Sequence, residues 1–179
     1  VSDALTGNPI ANATVSIVGT ALTDTTDVQG YYEITGVTAG NRGVHAETGA
    51  YYPQTVWGEV AAGSTTTMDL SLPSTSLTPK TYYVSPTGSD SNPGTQAQPW
   101  AAPGYGARQL YPGDTLVIMQ GEYVIDDYGV DDVVPQFSGA HTAWITIRGE
   151  PGAEPTLGGG NAILSLVEVG GKSYIRLEN

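Results

Sequence analysis

The sequence predicts an all-β protein: a small antiparallel β-sandwich, then the capped first coils of a parallel β-structure. Three observations carry this. Thr, Ser, Val, Tyr and Gly recur in short runs without a long helical periodicity. Turn residues separate the apolar runs of the first seventy or so positions. Further along, the β-rich runs around Leu116, Ile145 and Ile175 recur 29 and then 30 residues apart, as one structural coil per repeat requires.

The first segment, residues 1–72, alternates as half-buried strands do. Val15 and Ile17, Tyr32 and Ile34, and Val44 and Ala46 each point one way between polar neighbours, and Met68, Leu70 and Leu72 form a fourth run. Turns fall at Gly7-Asn8-Pro9, Asp27-Val28-Gln29-Gly30, Ala39-Gly40-Asn41 and Ala62-Gly63-Ser64. This spacing predicts an antiparallel sandwich. Asp24 and Asp27 do not fit the ligand spacing of an EF-hand loop, so Asp27 reads as the brace of the Gly30 turn. Residues 73–80 are rich in Pro, Ser and Thr, lack apolar periodicity, and read as a linker.

The second segment, residues 81–179, opens with Tyr82 and Val84 on a first strand. Gly88, Pro93 and Gly94 shape the loop that follows. Pro99 to Leu110 predicts a short helix whose Trp100, Tyr105 and Leu110 cover an open apolar end; a stacked-coil core needs such a cap. Pro112-Gly113-Asp114 turns the chain into the next strand, with Asp114 as a turn brace. Extra strand-like pieces, Pro155 to Leu157 and Ile163 to Val167, fall between the repeats.

The quoted motifs resemble known families. DALTGNPIANATVSIVGT, TDTTDVQGYYEITGVTAG and AAGSTTTMDLSL resemble the carboxypeptidase regulatory-like domain, a transthyretin-like sandwich, over about residues 1–72. Such modules are usually non-catalytic spacers or binding appendages of exported proteins. The resemblance implies a strand before the DALTG turn, where only Val1 and Ser2 stand, so that strand is expected to be missing or reduced to a stub. TYYVSPTGSDSNPGT, LYPGDTLVIMQGEY, WITIRGEPGAEPTLGGG and SYIRLEN resemble the N-terminal region of secreted right-handed parallel β-helix proteins. That superfamily includes pectate, alginate and chondroitin lyases and some glycoside hydrolases. The resemblance implies the fold and leaves the substrate open.

Charge narrows the partners. Eighteen Asp and Glu against six Lys and Arg give a net charge of −12. Residues 1–79 hold seven acids and one base, and residues 80–179 eleven and five, so each half is −6. No basic footprint exists for a nucleic acid, and polyanions are repelled at long range. Cys is absent, which removes disulfides and thiolate metal sites. No apolar run is long enough for a membrane span.

Candidate chemistry is sparse. Tyr51, Tyr52 and Trp57 lie together near Pro53; they read as a sugar-stacking platform or as the end plug of the sandwich core. Asp126, Asp127, Asp131 and Asp132 put four carboxylates in seven residues, read as a calcium site or as a solvated loop. No acid–base pair, and no His pair between His45 and His141, stands out for catalysis.

The function expected is that of a non-catalytic N-terminal portion of an exported, polysaccharide lyase-like β-helix protein, extracellular or at the cell surface. Its partner would be a polysaccharide and its catalytic groups would lie on coils beyond Asn179. The alternative is a subunit of an extracellular filament, surface layer or spike. There, the open sandwich edge and the open β-helix end would be completed by neighbouring chains.

Overall fold

The computed structural model describes residues 1–127, 130–159 and 167–178. The chain divides into two compact units, Val1–Leu77 and Thr78–Asn179.

In the first unit a four-stranded antiparallel sheet has the order β3 (Thr23–Thr25), β2 (Thr14–Ile17), β4 (Gly40–Thr48), β5 (Tyr51–Val60). Its inner face puts Val15, Ile17, Val44 and Ala46 into a core with Ile10, Ala13, Leu70 and Leu72. Thr26 ties down the edge of that core: its buried hydroxyl donates to Ile10 O and accepts from Ala13 N at 2.7 and 2.9 Å.

Opposite this sheet the sandwich is thin. There β1 (Ser2–Asp3) and β6 (Ser71–Leu72) form a two-stranded parallel pair. Ser2, expected to stand before the DALTG turn, lies in β1. Tyr32 and Ile34, expected on a strand, have no ladder, and the Met68 run enters one only at Ser71. Their alternation is nevertheless real, because Tyr32, Ile34 and Met68 all pack on the core. The Tyr32 hydroxyl donates to Met68 O at 2.7 Å, and Glu33 N donates to Asp24 Oδ2 at 2.7 Å. Side-chain bonds replace the sheet ladder here. Between these segments and the sheet lies a cleft of about 500 Å³ lined by Ile17, Tyr32, Val37, Val44, Val60 and Met68.

The predicted linker begins inside this unit. Pro73 is fully buried, its carbonyl accepts from Tyr52 N at 2.8 Å, and Thr75 N donates to Ala50 O at 3.0 Å.

The second unit is a stack of parallel coils. One sheet has the order β12 (Ile175–Glu178), β10 (Ile145–Gly149), β8 (Thr115–Ile118), β7 (Thr81–Val84), parallel throughout. A second parallel pair joins β9 (Glu122–Ile125) to β11 (Thr156–Gly159), and a parallel bridge joins Val133 to Val167. Each coil thus contributes to three faces. The register aligns Leu116 with Ile147, not with Ile145, so the first repeat is 31 residues long; Ile145 aligns with Ile175 at 30. The two-residue difference from the spacing read off the sequence keeps every side chain on its face, because strand side chains alternate with period two.

Tyr82, Leu116, Ile147 and Leu177 form one inward column, rung by rung. Helix α1 (Pro103–Arg108) packs against β7 and β8 and closes the first end. Its Gly106 leaves no room for a side chain, since a Cβ there would sit 2.9 Å from Leu116 Cδ1. Trp100 stacks on Tyr82 with ring centroids 4.7 Å apart, and Tyr105 meets it edge-on at 5.6 Å. Asp90 Oδ1 accepts from Ala101 N and Ala102 N at 2.8 and 3.1 Å, fixing the entry to the helix. At the far end Leu177, the fourth member of the column, is 55% exposed.

Candidate functional site

The three aromatics expected to act together do not form one platform. Tyr51 packs against the sandwich core; the Asp3 carboxylate beside it adds to desolvation in raising its phenol pKa. Tyr52 has the opposite strand parity, and its N–H is bonded to Pro73 O. Trp57 lies six residues along β5 from Tyr51, about 20 Å of extended strand, and is 52% exposed on the outer face. The end-plug reading describes Tyr51, whereas Trp57 is open to solvent.

The acidic run does not gather into a metal cage. Among the described residues no group of three or more His, Asp or Glu side chains is placed to hold a cation. Asp131 turns back on its own loop, where Oδ2 accepts from Asp127 N at 3.1 Å and Asp126 N at 3.4 Å. Asp132 is buried, 3% exposed, and its Oδ1 has no hydrogen-bond partner among the described residues. The loop is held by the cap: Arg108 donates to the carbonyls of Val130 and Asp132. Gly104 of α1 approaches the Asp131 and Asp132 backbone so closely that a Cβ would collide with it.

Other carboxylates also brace turns. Asp114 Oδ1 accepts from Lys80 N at 2.7 Å and Oδ2 from Tyr111 N at 2.9 Å, while its carbonyl accepts from Thr146 N at 2.9 Å. Burial raises its pKa, partly offset by these bonds and by the Lys80 charge. Asp27 Oδ1 accepts from Gln29 N and Tyr31 N, both at 2.9 Å. Asp3 accepts from Leu5 N and Thr6 N at 2.9 and 2.8 Å, and the Thr6 bond leads in lowering its pKa. A carboxylate accepting backbone N–H bonds in this way is an anchor and is poorly disposed for proton transfer.

The outward face of the coil sheet has a different character. Trp144 and Tyr174 are adjacent at the strand entrances, 38% and 42% exposed, with ring centroids 5.5 Å apart and edge-to-face. His141 meets Tyr174 edge-on at 6.5 Å. The Arg176 guanidinium lies 5.1 Å from the Trp144 ring centroid and 3.5 Å from a Glu178 oxygen. Arg148, next on the face, stands opposite Glu178 in the ladder. Two of the chain's six Lys and Arg residues thus share one sheet face with two exposed rings. Tyr174 is also held at φ 55°, a left-handed conformation that costs an L-residue about 1–2 kcal/mol. Its carbonyl accepts from Ile145 N at 3.1 Å, which pins that conformation and aims the ring outward.

This cluster escaped the sequence reading, although a signal existed. WITIR and YIRLE align once the 30-residue register is set, and that alignment puts Trp144 beside Tyr174 and Thr146 beside Arg176. Lys172, the remaining strand-end cation, donates to Gln136 O at 2.6 Å, and burial lowers its pKa.

Residues 1–73 match the family model of the carboxypeptidase regulatory-like domain. No curated protein matches the chain. Among solved structures, a rhamnogalacturonan lyase is 27% identical over 55% of this chain, with a TM-score of 0.41. A complex of XylC with xylose is 28% identical over 42%, with a TM-score of 0.37. The chain spans 27% and 11% of the lengths of those two proteins.

Proposed function

We propose that the chain is a non-catalytic, glycan-contacting portion of an exported carbohydrate-active protein, with the sandwich as its appendage. The observation that carries this is the outward coil face, where Trp144 and Tyr174 offer rings and Arg148 and Arg176 offer guanidinium groups. Sugar rings stack on exposed aromatics, and a guanidinium fork matches a carboxylate. The face therefore fits a uronate-bearing polysaccharide, bound locally against the unfavourable charge of the whole chain. Such polymers are met outside the cell, and the proposal places the protein there. Its non-catalytic character is supported by the carboxylates at Asp3, Asp27 and Asp114, each of which has at least one oxygen committed to backbone N–H groups.

The test is affinity electrophoresis in polygalacturonate and alginate gels. Retardation should fall in Tyr174→Ala and Arg176→Ala. Equal migration of wild type with and without polymer would overturn glycan contact. Release of unsaturated product by this chain alone, read as new ultraviolet absorbance, would overturn the non-catalytic assignment.

A further inference from the structure

The outer face of the sandwich sheet carries a second built feature. Gly43 of β4 stands directly opposite Trp57 of β5, and the indole lies across it. A Cβ on Gly43 would be 3.0 Å from Trp57 Cζ2 and 2.9 Å from Val18 Cγ2. Gly43 is accordingly buried although it faces outward, while Trp57 keeps 52% of its surface open. Any other residue at 43 would lift the ring off the sheet.

Polar groups surround this ring. Along β4 and β5 the same face presents Asn41, His45, Glu47, Thr55 and Glu59. His45 Nδ1 and Thr55 Oγ1 are 2.9 Å apart, which holds the imidazole, and its Nε2 lies 3.8 Å from Glu47. The only base of residues 1–79, Arg42, is committed elsewhere, donating to Thr38 O, Thr38 Oγ1 and Ala39 O.

We infer that this face binds a neutral polysaccharide, with one sugar ring stacked on Trp57. The inference extends the glycan-contacting role proposed above to a second site and a different class of glycan. Two carboxylates with no Lys or Arg beside them disfavour a uronate chain. They are good hydrogen-bond acceptors for neutral hydroxyl groups, which donate to a charged acceptor more strongly than to a neutral one. A single ring among polar side chains is small beside a standard protein interface, which buries about 800 Å² per partner. It matches the C–H face of one pyranose unit flanked by hydroxyls.

The full chain would be run in native gels containing hydroxyethyl cellulose, xyloglucan or glucomannan, and titrated by calorimetry with the retarding polymer. Trp57→Ala should weaken binding about tenfold or more, roughly the loss of one well-buried aromatic contact. Trp57→Phe should retain part of it. Gly43→Val, which keeps the indole but lifts it, should weaken binding with Trp57 present. Tyr174→Ala should leave neutral binding unchanged, so this site and the coil face fail independently. Retardation by none of the three polymers overturns the inference. So does full binding by a folded Trp57→Ala, or dimerisation through this face that Trp57→Ala abolishes.

Discussion

At the scale of single residues, burial sets the largest titration shift, that of Tyr123. Tyr123 is 5% exposed, with its hydroxyl 3.0 Å from Val84 O and 2.9 Å from Met119 O. Desolvation, and secondarily the charge of Glu150, pushes its phenol up to about 12. A folded-state pKa above the unfolded value near 10 means that the native state holds its proton longer. The stabilisation is complete below pH 10 or so and is lost as pH rises toward 12, on the order of 2 kcal/mol in all. Urea unfolding at a series of alkaline pH values should show this fall. Tyr123→Phe should flatten that part of the profile while lowering stability at neutral pH. An identical alkaline slope in the variant would refute the assignment.

Elements explain what the sequence could and could not announce. The cap was legible because Trp100, Tyr105 and Leu110 are large, apolar and close in sequence to Pro103, which starts the helix. The acidic loop was not, because its partner lies 24 residues back: Arg108 reaches the carbonyls of Val130 and Asp132. The run of acids by itself does not announce that the backbone carbonyls beside it are held by a guanidinium. Gly104 is the tightest point of that contact. Gly104→Ala should therefore cost about 2 kcal/mol, the usual scale of overpacking, lowering Tm on the order of 10 °C for a unit of this size. Calorimetry would measure it; a melting point within a degree or so of wild type would show that the loop gives way freely. The segments at Tyr32 and Met68, expected as strands, show the converse. Period-two alternation reports which way side chains point, and both segments keep that alternation without a ladder.

For the whole molecule, the carboxypeptidase regulatory-like match ends at residue 73, whereas the first compact unit runs to Leu77. Its last residues are tied back by Thr75 N to Ala50 O. With its own core around Val15, Val44, Leu70 and Leu72, residues 1–77 should fold alone. A dispersed amide NMR spectrum of that fragment is the expected result, and a collapsed spectrum would make its stability dependent on the rest of the chain. The coil spacing was legible and its exact register was not, although the 29-residue and 31-residue alignments place the same residues inside. The exposed ring cluster depends on the 30-residue register of β10 on β12 and on a left-handed Tyr174, and only the first of these is readable from spacing.

The helix at one end of the coil stack gives the second unit a direction. Hydrogen bonds from Asp114 join the turn before β7, the turn before β8 and the start of β10. A chain emerging from the ribosome would therefore lay down its seal first and then wind each coil onto a finished template. Assembly in that order keeps every unsatisfied strand edge at the growing end, where the next thirty residues arrive to cover it.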